Sequence, residues 1–338
     1  MAILTGRVCP LTLVIISVLM HPQRSADPTY ASCMTPRSVP LSFESQYGAG
    51  LDRGLVLGGG GLFFIAWQVA YLDTLARAGV TLAGAQRVVG TSAGSLIAAV
   101  VTSGGIGRFA RTVSLLSRAP ALTARLAPAA RLTPSQQRAL DLFRQAADAE
   151  PETVQAIGRA ALAAAATPAA SMRRTARLMI AHHKWPAPSL QVTAVDTYTG
   201  ERIVIDHHAQ VPVATATAAS SSVPGLFAPQ LVGDRFCMDG GVSGSGTHSD
   251  LVAGADRVVM ISLSEAFPSP RPGGMTQRPG GYQQELDNLQ ASGSKVLVVG
   301  PESADLTTLM DPREVPAALA MGRRQAQADV DRVRDFWG

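Results

Sequence analysis

The amino-acid sequence predicts an α/β fold in which a mostly parallel central sheet is sandwiched by helices and interrupted by a helical insertion. Short apolar segments such as residues 54–57 and 295–299 are typical of buried strands, and they alternate with longer helical segments. Strands that alternate with helices usually pair in parallel, because each helix carries the chain back across one face of the sheet. Hydrophobic residues make up 46% of the 338 residues, which is enough for a large buried core.

The predicted elements begin at residue 53. Strands are predicted at 54–57, 87–89, 190–195, 202–205, 235–238, 257–263 and 295–299. Helices are predicted at 62–78, 95–103, 134–149, 151–166, 169–183 and 314–336, with a Pro/Gly-rich loop at 267–281. The helical block at about 106–184 is the insertion, and residues 51–338 form one domain.

Residues 1–50 are predicted to be a leader outside the fold, either disordered or signal-like, because they are rich in Pro and Ser. Arg7 precedes an apolar stretch at residues 11–20, which is too short to span a bilayer but long enough for the apolar part of a signal peptide. No clear small-residue cleavage site follows this stretch. A cytoplasmic or peripheral membrane location is therefore favoured, with export as the alternative.

Composition narrows the classes of partner. The net charge is +4, and no block of five or more like charges occurs, so a nucleic-acid partner is not expected. Cys9, Cys33 and Cys237 are odd in number and far apart, which argues against a disulfide framework or a zinc site. Cys237 lies in an apolar run and is interpreted as a core residue. We expect neither a metal nor a cofactor.

A sequence of the form G-x-S-x-G at residues 90–94 contains the candidate nucleophile, Ser92. It follows a predicted strand and precedes an apolar helix, the position of a sharp turn that projects a serine hydroxyl from the sheet. The amino end of the following helix faces any negative charge that develops there. The alternative is a Gly/Ser cap on an ordinary helix.

Four consecutive glycines, Gly58, Gly59, Gly60 and Gly61, follow the first strand. Backbone amides of such a run can converge on an anion, and beside an acyl-transfer serine that anion is the tetrahedral oxyanion. A nucleotide-phosphate loop is the first alternative, but the Lys-Ser/Thr pair of a P-loop is missing. A plain tight turn is the second.

Asp239 is the candidate base because it ends an apolar strand and is followed by two glycines. The carboxyl ends of strands are where open α/β sheets hold functional groups, and partial burial there raises the basicity of a carboxylate. The alternative is an Asp-Gly turn that caps its own loop. His248 is the only histidine placed where a Ser-His-Asp triad could use it.

These motifs, in this order, resemble the patatin-like phospholipase family. The resemblance includes the glycine run, the turn at 90–94, the stretch Ser-Ser-Ser-Val-Pro-Gly-Leu-Phe at 220–227 and Asp-Gly-Gly at 239–241, and it extends over about 53–338. It implies a patatin-like fold and a Ser92–Asp239 dyad rather than a triad. It also implies an oxyanion hole from the glycine loop, no metal in the chemistry, and lipid or acyl-ester substrates.

The sequence departs from the family pattern after the glycines. Leu62, Phe63 and Phe64 stand where a small residue, a basic residue and a glycine are usual. We interpret Phe63, Phe64 and Trp67 as candidate substrate-binding residues that line an acyl groove; the alternative is one apolar helix face packed into the core.

Basic residues of the insertion suggest peripheral membrane contact, although a solvated helix face is the favoured interpretation. They are Arg159, Arg173, Arg174, Arg177 and Lys184. The predicted function is a serine acyl-ester hydrolase that acts on lipids. A lipid-binding protein that has lost turnover and an acyltransferase are the alternatives.

Overall fold

The computed structural model describes residues 36–118, 131–182, 184–267 and 281–338. Within these ranges a nine-stranded sheet forms the centre of the fold. Its strands are β1 (Arg37–Ser38), β2 (Arg53–Leu57), β3 (Arg87–Thr91), β4 (Leu190–Asp196), β5 (Arg202–Ile205), β6 (Gln230–Val232), β7 (Arg235–Asp239), β8 (Arg257–Ile261) and β9 (Lys295–Val299).

The sheet has a parallel part and an antiparallel part. Its order is β1–β5–β4–β3–β2–β8–β9, and β7 also pairs with β4 and with β6. The run from β4 to β9 is parallel, whereas β1, β5, β6 and β7 pair antiparallel. The predicted α/β sheet is confirmed. The size of its antiparallel part was not predicted, since β1 and β6 have only two and three residues and show no periodicity.

Helices cover both faces of this sheet. They are α1 (Gly61–Arg77), α2 (Ala93–Thr102), α3 (Ile106–Leu116), α4 (Pro134–Arg144), α5 (Pro151–Ala163), α6 (Ala169–Ile180), α7 (Val213–Ser220), α8 (Gly281–Ala291) and α9 (Val315–Trp337). Side chains of a strand alternate between faces. In β2, Leu55 and Leu57 therefore join the core that contains α1 and α2, whereas Val56 packs in the core on the α8 side.

The predicted insertion contains α3, α4, α5 and α6, and each of the three helices predicted from 134 to 183 begins where expected and ends early. Pro134 and Pro151 explain the two sharp starts, because proline is well tolerated in the first turn of a helix. A Cβ on Gly158 of α5 would lie 2.1 Å from the Thr197 carbonyl oxygen, so α5 is held tightly against the turn after β4. Residues 119–130 and 183 lie outside the described residues.

The predicted boundary of the domain at residue 51 is wrong, because residues 36–50 belong to the fold. β1 pairs with β5, and the amide of Gly48 donates to the carbonyl of Ala253. A segment rich in Pro and Ser is predicted to be disordered from its composition, but composition does not reveal backbone pairing with strands that lie far away in the sequence. Residues 1–35, including the apolar stretch at 11–20, lie outside the described residues.

The segment after β1 is tied to a buried ion pair. Arg202 Nη1 and Nη2 lie 2.6 and 2.7 Å from the two carboxylate oxygens of Asp250, and both side chains are almost fully buried. Arg202 also donates to the carbonyl oxygens of Val39 and Pro40, and the amide of Ser42 donates to Asp250. All the charge in this cluster is thus satisfied inside the protein.

None of the helices in the described residues is both long enough and apolar enough to cross a membrane.

We predict that Arg202→Met lowers the free energy of unfolding by about 3–5 kcal/mol, because it leaves the buried Asp250 carboxylate without its cation. Urea unfolding followed by circular dichroism measures the loss. Arg334→Met, which removes an exposed partner of Asp331, is the control and should change stability little. Equal stability of the two variants would contradict the prediction.

Candidate active site

Ser92 occupies a strained turn between β3 and α2. Its φ of 51° and ψ of −121° lie in a region that residues with a side chain rarely adopt. A Cβ on Gly94 would lie 1.9 Å from the Leu57 carbonyl oxygen, and one on Gly90 would lie 2.6 Å from the Cα of Ser95. Glycine is therefore required at both positions for the chain to turn so sharply, which is the physical reason for the G-x-S-x-G spacing.

The sheet brings Asp239 to Ser92. β5 pairs along one side of β4, and β3 and β7 share the other side. β3 pairs with residues 190–193 and β7 with residues 194–196, so the two strands approach from opposite directions and their last residues, Thr91 and Asp239, lie next to each other. The Ser92 hydroxyl donates to Asp239 Oδ2 at 2.7 Å, and the Gly241 amide donates to Oδ1 at 2.8 Å. Both side chains are buried, with 5% of Ser92 and none of Asp239 exposed.

Burial also sets the proton affinity of Asp239. It raises the pKa of the Asp239 carboxyl to about 7, against the opposing effect of the hydrogen bonds from Ser92 and Gly241. A carboxylate that titrates near neutral pH can accept a proton from a serine hydroxyl as a general base. The arrangement is therefore chemically suited to nucleophilic attack by Ser92.

The segment Ser220–Ser222 holds both residues in place. Ser220 Oγ accepts from the Ser92 amide at 2.9 Å, and Ser221 Oγ donates to the Ser92 carbonyl oxygen at 3.1 Å. The Asp239 amide donates to the Ser222 carbonyl oxygen at 3.0 Å. In the sequence these serines stand out only as part of the motif at 220–227. A run of serines after the Ala-rich residues 213–219 was the available signal, since such hydroxyls readily bond to backbone groups.

The glycine run lies beside Ser92, but its four amides are not equivalent. The Gly58 amide donates to the Ile261 carbonyl and the Gly59 amide to the Gly246 carbonyl, at 2.9 and 3.2 Å. A Cβ on Gly59 would lie 3.1 Å from the Cβ of Ser92, which shows how closely the loop approaches the nucleophile. Within the described part of the chain, the amides of Gly60 and Gly61 have no acceptor, so they are the free donors among the four.

His248 contacts the back of this site rather than Ser92. Its Nε2 lies 3.1 Å from the Gly240 carbonyl oxygen, and its Nδ1 lies 3.3 Å from Arg202 Nη1. Burial and the neighbouring guanidinium lower the pKa of His248 to about 3, so the imidazole is neutral. A neutral ring can donate from Nε2 and accept at Nδ1, which fits both contacts. The geometry favours a Ser92–Asp239 pair over the triad.

An apolar cavity of about 90 Å³ opens at Ser92. Leu62 and Ile65 of α1 line it, together with side chains from α6 and from the segments around 226 and 310, which are Met172, Met179, Leu226, Phe227 and Met310. Aliphatic and methionine side chains around a nucleophile suit an acyl chain better than a polar group.

The prediction that Phe63, Phe64 and Trp67 line this cavity is wrong. All three are buried in the core, where Trp67 stacks between Phe64 and Tyr71 at centroid distances of 5.7 and 4.8 Å. Trp67 Nε1 also donates to Gln325 of α9 at 2.8 Å. They lie on the α9 side of the helix, and the face with Leu62 and Ile65 turns toward Ser92.

A larger cavity of about 680 Å³ lies at the end of the sheet where the parallel strands begin, opposite the end that holds Ser92. It is lined by Arg53, Arg257 and Lys295, which begin β2, β8 and β9, whereas Ser92 follows the end of β3. It therefore has no access to the nucleophile.

Among the described residues, no group of three or more His, Cys, Asp and Glu side chains could hold a metal ion. Cys237 is fully buried in β7, and burial raises the pKa of its thiol to about 12. A thiol with so high a pKa stays protonated and is a poor nucleophile.

A family model described as patatin-like phospholipase matches residues 55–249 of the chain. The match covers more than half of the chain and contains both Ser92 and Asp239. The chain belongs to the patatin-like phospholipase family, which confirms the resemblance found in its motifs and places it in a family of lipid acyl hydrolases. No curated protein matches the chain significantly.

Solved structures show more distant similarity. VipD from Legionella pneumophila is 14% identical with a TM-score of 0.38, over 87% of this chain and 68% of that one. The type III effector protein ExoU is 18% identical with a TM-score of 0.35, over 83% of this chain and 53% of that one. ExoU in its complex with SpcU, from the type III secretion system of Pseudomonas aeruginosa, is 16% identical with a TM-score of 0.29, over 82% and 52%. The chain thus spans about half the length of ExoU.

We predict that a fluorophosphonate labels Ser92 at a rate that rises with pH through about 7 and then levels off. Below this pH the Asp239 carboxyl is protonated and cannot accept the serine proton, so the rate should fall about tenfold per pH unit. Peptide mapping identifies the labelled residue, and Asp239→Asn should abolish the pH dependence together with most of the labelling. A rate that stays constant from about pH 5 to pH 9 would contradict this assignment.

Proposed function

We propose that the protein is a serine hydrolase that cleaves acyl esters of lipids through a Ser92–Asp239 dyad. The observation that carries this proposal is the 2.7 Å hydrogen bond between the Ser92 hydroxyl and the buried Asp239 carboxylate, together with the apolar cavity that Ser92 lines. Membership of the patatin-like phospholipase family supports the lipid substrate.

The proposed reaction has two halves. Ser92 Oγ attacks the ester carbonyl carbon while Asp239 accepts its proton, and the tetrahedral intermediate then expels the alcohol, which takes the proton from Asp239. Water next attacks the acyl-enzyme and gives a proton to Asp239. The bond between the acyl carbon and Ser92 Oγ then breaks, and Asp239 returns its proton to Oγ as the carboxylic acid leaves. One ester and one water thus yield one alcohol and one carboxylic acid.

The oxyanion of both tetrahedral intermediates requires hydrogen-bond donors. We assign this role to the amides of Gly60 and Gly61, because the amides of Gly58 and Gly59 already donate to backbone carbonyls. The amino ends of α1 and α2, which start at Gly61 and Ala93, add positive potential beside Ser92. Loss of one such donor typically raises a barrier by about 3–4 kcal/mol.

The cavity supports a preference for short acyl chains. Its volume of about 90 Å³ is well below the roughly 300–1,000 Å³ of common ligand pockets. Met172, Met179 and Met310 line it, and methionine side chains are flexible enough to yield to a longer chain at some cost. We therefore place medium chains at the upper end of the range.

We predict that Ser92→Ala abolishes hydrolysis of p-nitrophenyl esters and that Asp239→Asn lowers kcat/KM by about 10²–10⁴-fold, since the general base is lost. Release of p-nitrophenol measures both effects, and circular dichroism checks that the variants fold. Asp234→Asn is the matched control, because it removes an exposed carboxylate from the turn between β6 and β7. Its activity is expected to be near that of the unaltered protein. Retention of most activity in Asp239→Asn would contradict the dyad.

We predict that Met179→Ala shifts the optimum of hydrolysis toward longer acyl chains, because it enlarges the cavity beside Ser92. The measurement is kcat/KM for a series of p-nitrophenyl esters of increasing chain length. Met321→Ala truncates a partly buried methionine of α9 that does not line the cavity, so its chain-length profile should stay unchanged. Identical profiles for the two variants would rule out this cavity as the acyl site.

A further inference from the structure

Helix α6 separates two cavities. One face of the helix lines the apolar cavity at Ser92 with Met172, Ala176 and Met179. Its other face lines a second cavity of about 360 Å³, which is bounded by Arg173, Arg174, Arg177, Pro212, Ala214 and Thr215. We call this second cavity the arginine pocket. The alternation follows from the helical repeat, since residues three and four apart share a face.

The arginine pocket concentrates uncompensated positive charge. No acidic side chain lines it, and across the described ranges no ion pair involves any of its three arginines. Arg173 Nη1 donates to Oε1 of the buried Gln230 at 2.8 Å, which fixes the direction of one guanidinium. Pro212 immediately precedes α7, and Ala214 and Thr215 lie in the first turn of this helix, whose positive end adds to the potential.

The surroundings of the arginine pocket favour a phosphate group at a membrane surface over a dissolved anion as its ligand. Leu178 follows Arg177 directly and is 79% exposed, the largest exposure among the exposed large hydrophobic side chains of the described residues. Cations beside an exposed aliphatic side chain suit the boundary between phosphate headgroups and acyl chains. Guanidinium groups bind phosphate with two parallel hydrogen bonds, which an ammonium group cannot do.

We propose that the arginine pocket binds the phosphate of an anionic phospholipid in a bilayer and thereby docks the protein with its Ser92 cavity next to the membrane surface. The benefit of docking rests on the proposed lipid hydrolase function, whereas binding itself does not. Arg173, fixed by Gln230, provides a preoriented contact, and the exposed Arg174 and Arg177 close on the headgroup. Leu178 enters the outer edge of the acyl region.

The test separates docking from hydrolysis by use of the full chain with Ser92→Ala. Co-sedimentation is measured with vesicles of phosphatidylcholine and with vesicles that also contain phosphatidylglycerol. We expect binding to the anionic vesicles only, and a loss of about 25-fold in affinity when Arg174→Gln and Arg177→Gln are introduced together, from the usual contribution of each basic residue near a charged surface. The control carries Arg138→Gln and Arg144→Gln, which remove two exposed arginines of α4 and should bind nearly as the parent does.

Equal losses in the two double variants would overturn the proposal, because bulk charge would then explain binding. Unchanged vesicle binding in Arg174→Gln/Arg177→Gln, with loss of inorganic phosphate binding by calorimetry, would also overturn it in favour of a soluble anion. With Ser92 intact, the same double variant should hydrolyse a soluble p-nitrophenyl ester at the parental rate. If vesicle binding depends on the arginines but the protein with Ser92 intact hydrolyses no ester, the proposed function is wrong and the docking proposal is still supported.

Discussion

The hydrogen bond between the Ser92 hydroxyl and the Asp239 carboxylate requires two strands to end at the same point of the sheet, although 147 residues separate the two side chains in sequence. β4 satisfies this requirement, because it pairs in parallel with β3 and antiparallel with β7. The parallel part of the sheet thus positions Ser92, and the antiparallel part brings the Asp239 carboxylate to it. The insertion and α7 pack around the meeting point and enclose it in apolar surroundings.

Both partners are held in states that cost free energy on their own. Ser92 has a positive φ, and Asp239 is a fully buried carboxyl whose burial raises its pKa to about 7. The surrounding backbone offsets these costs, since Ser220, Ser221 and Ser222 bond to the main chain of the two residues. In the proposed mechanism, the same features that destabilise the site locally make the Ser92 hydroxyl and the Asp239 carboxylate reactive.

Local signals made Ser92 and Asp239, the proposed nucleophile and base, recognisable in the sequence. Glycines at 90 and 94 are forced by the turn itself, and Asp239 lies at a recognisable strand end. Residues 36–50 could not be placed in the fold from the sequence, because their partners, β5 and Ala253, lie more than 150 positions further along the chain. The cavity-facing side of α1 was also beyond prediction, since the helix is apolar on nearly every side and no polar face distinguishes Leu62 from Phe63.

The cluster around Arg202 shows that the region matched by the family model is shorter than the region that folds as a unit. The family match ends at residue 249, one position before the carboxylate of Asp250, and begins at 55, well after the carbonyls of Val39 and Pro40. A fragment that contains only the matched region would lack Asp250, Val39 and Pro40, so the buried Arg202 guanidinium would have none of these hydrogen-bond acceptors. Such a fragment would be expected to precipitate during expression, and its inactivity would say nothing about Ser92.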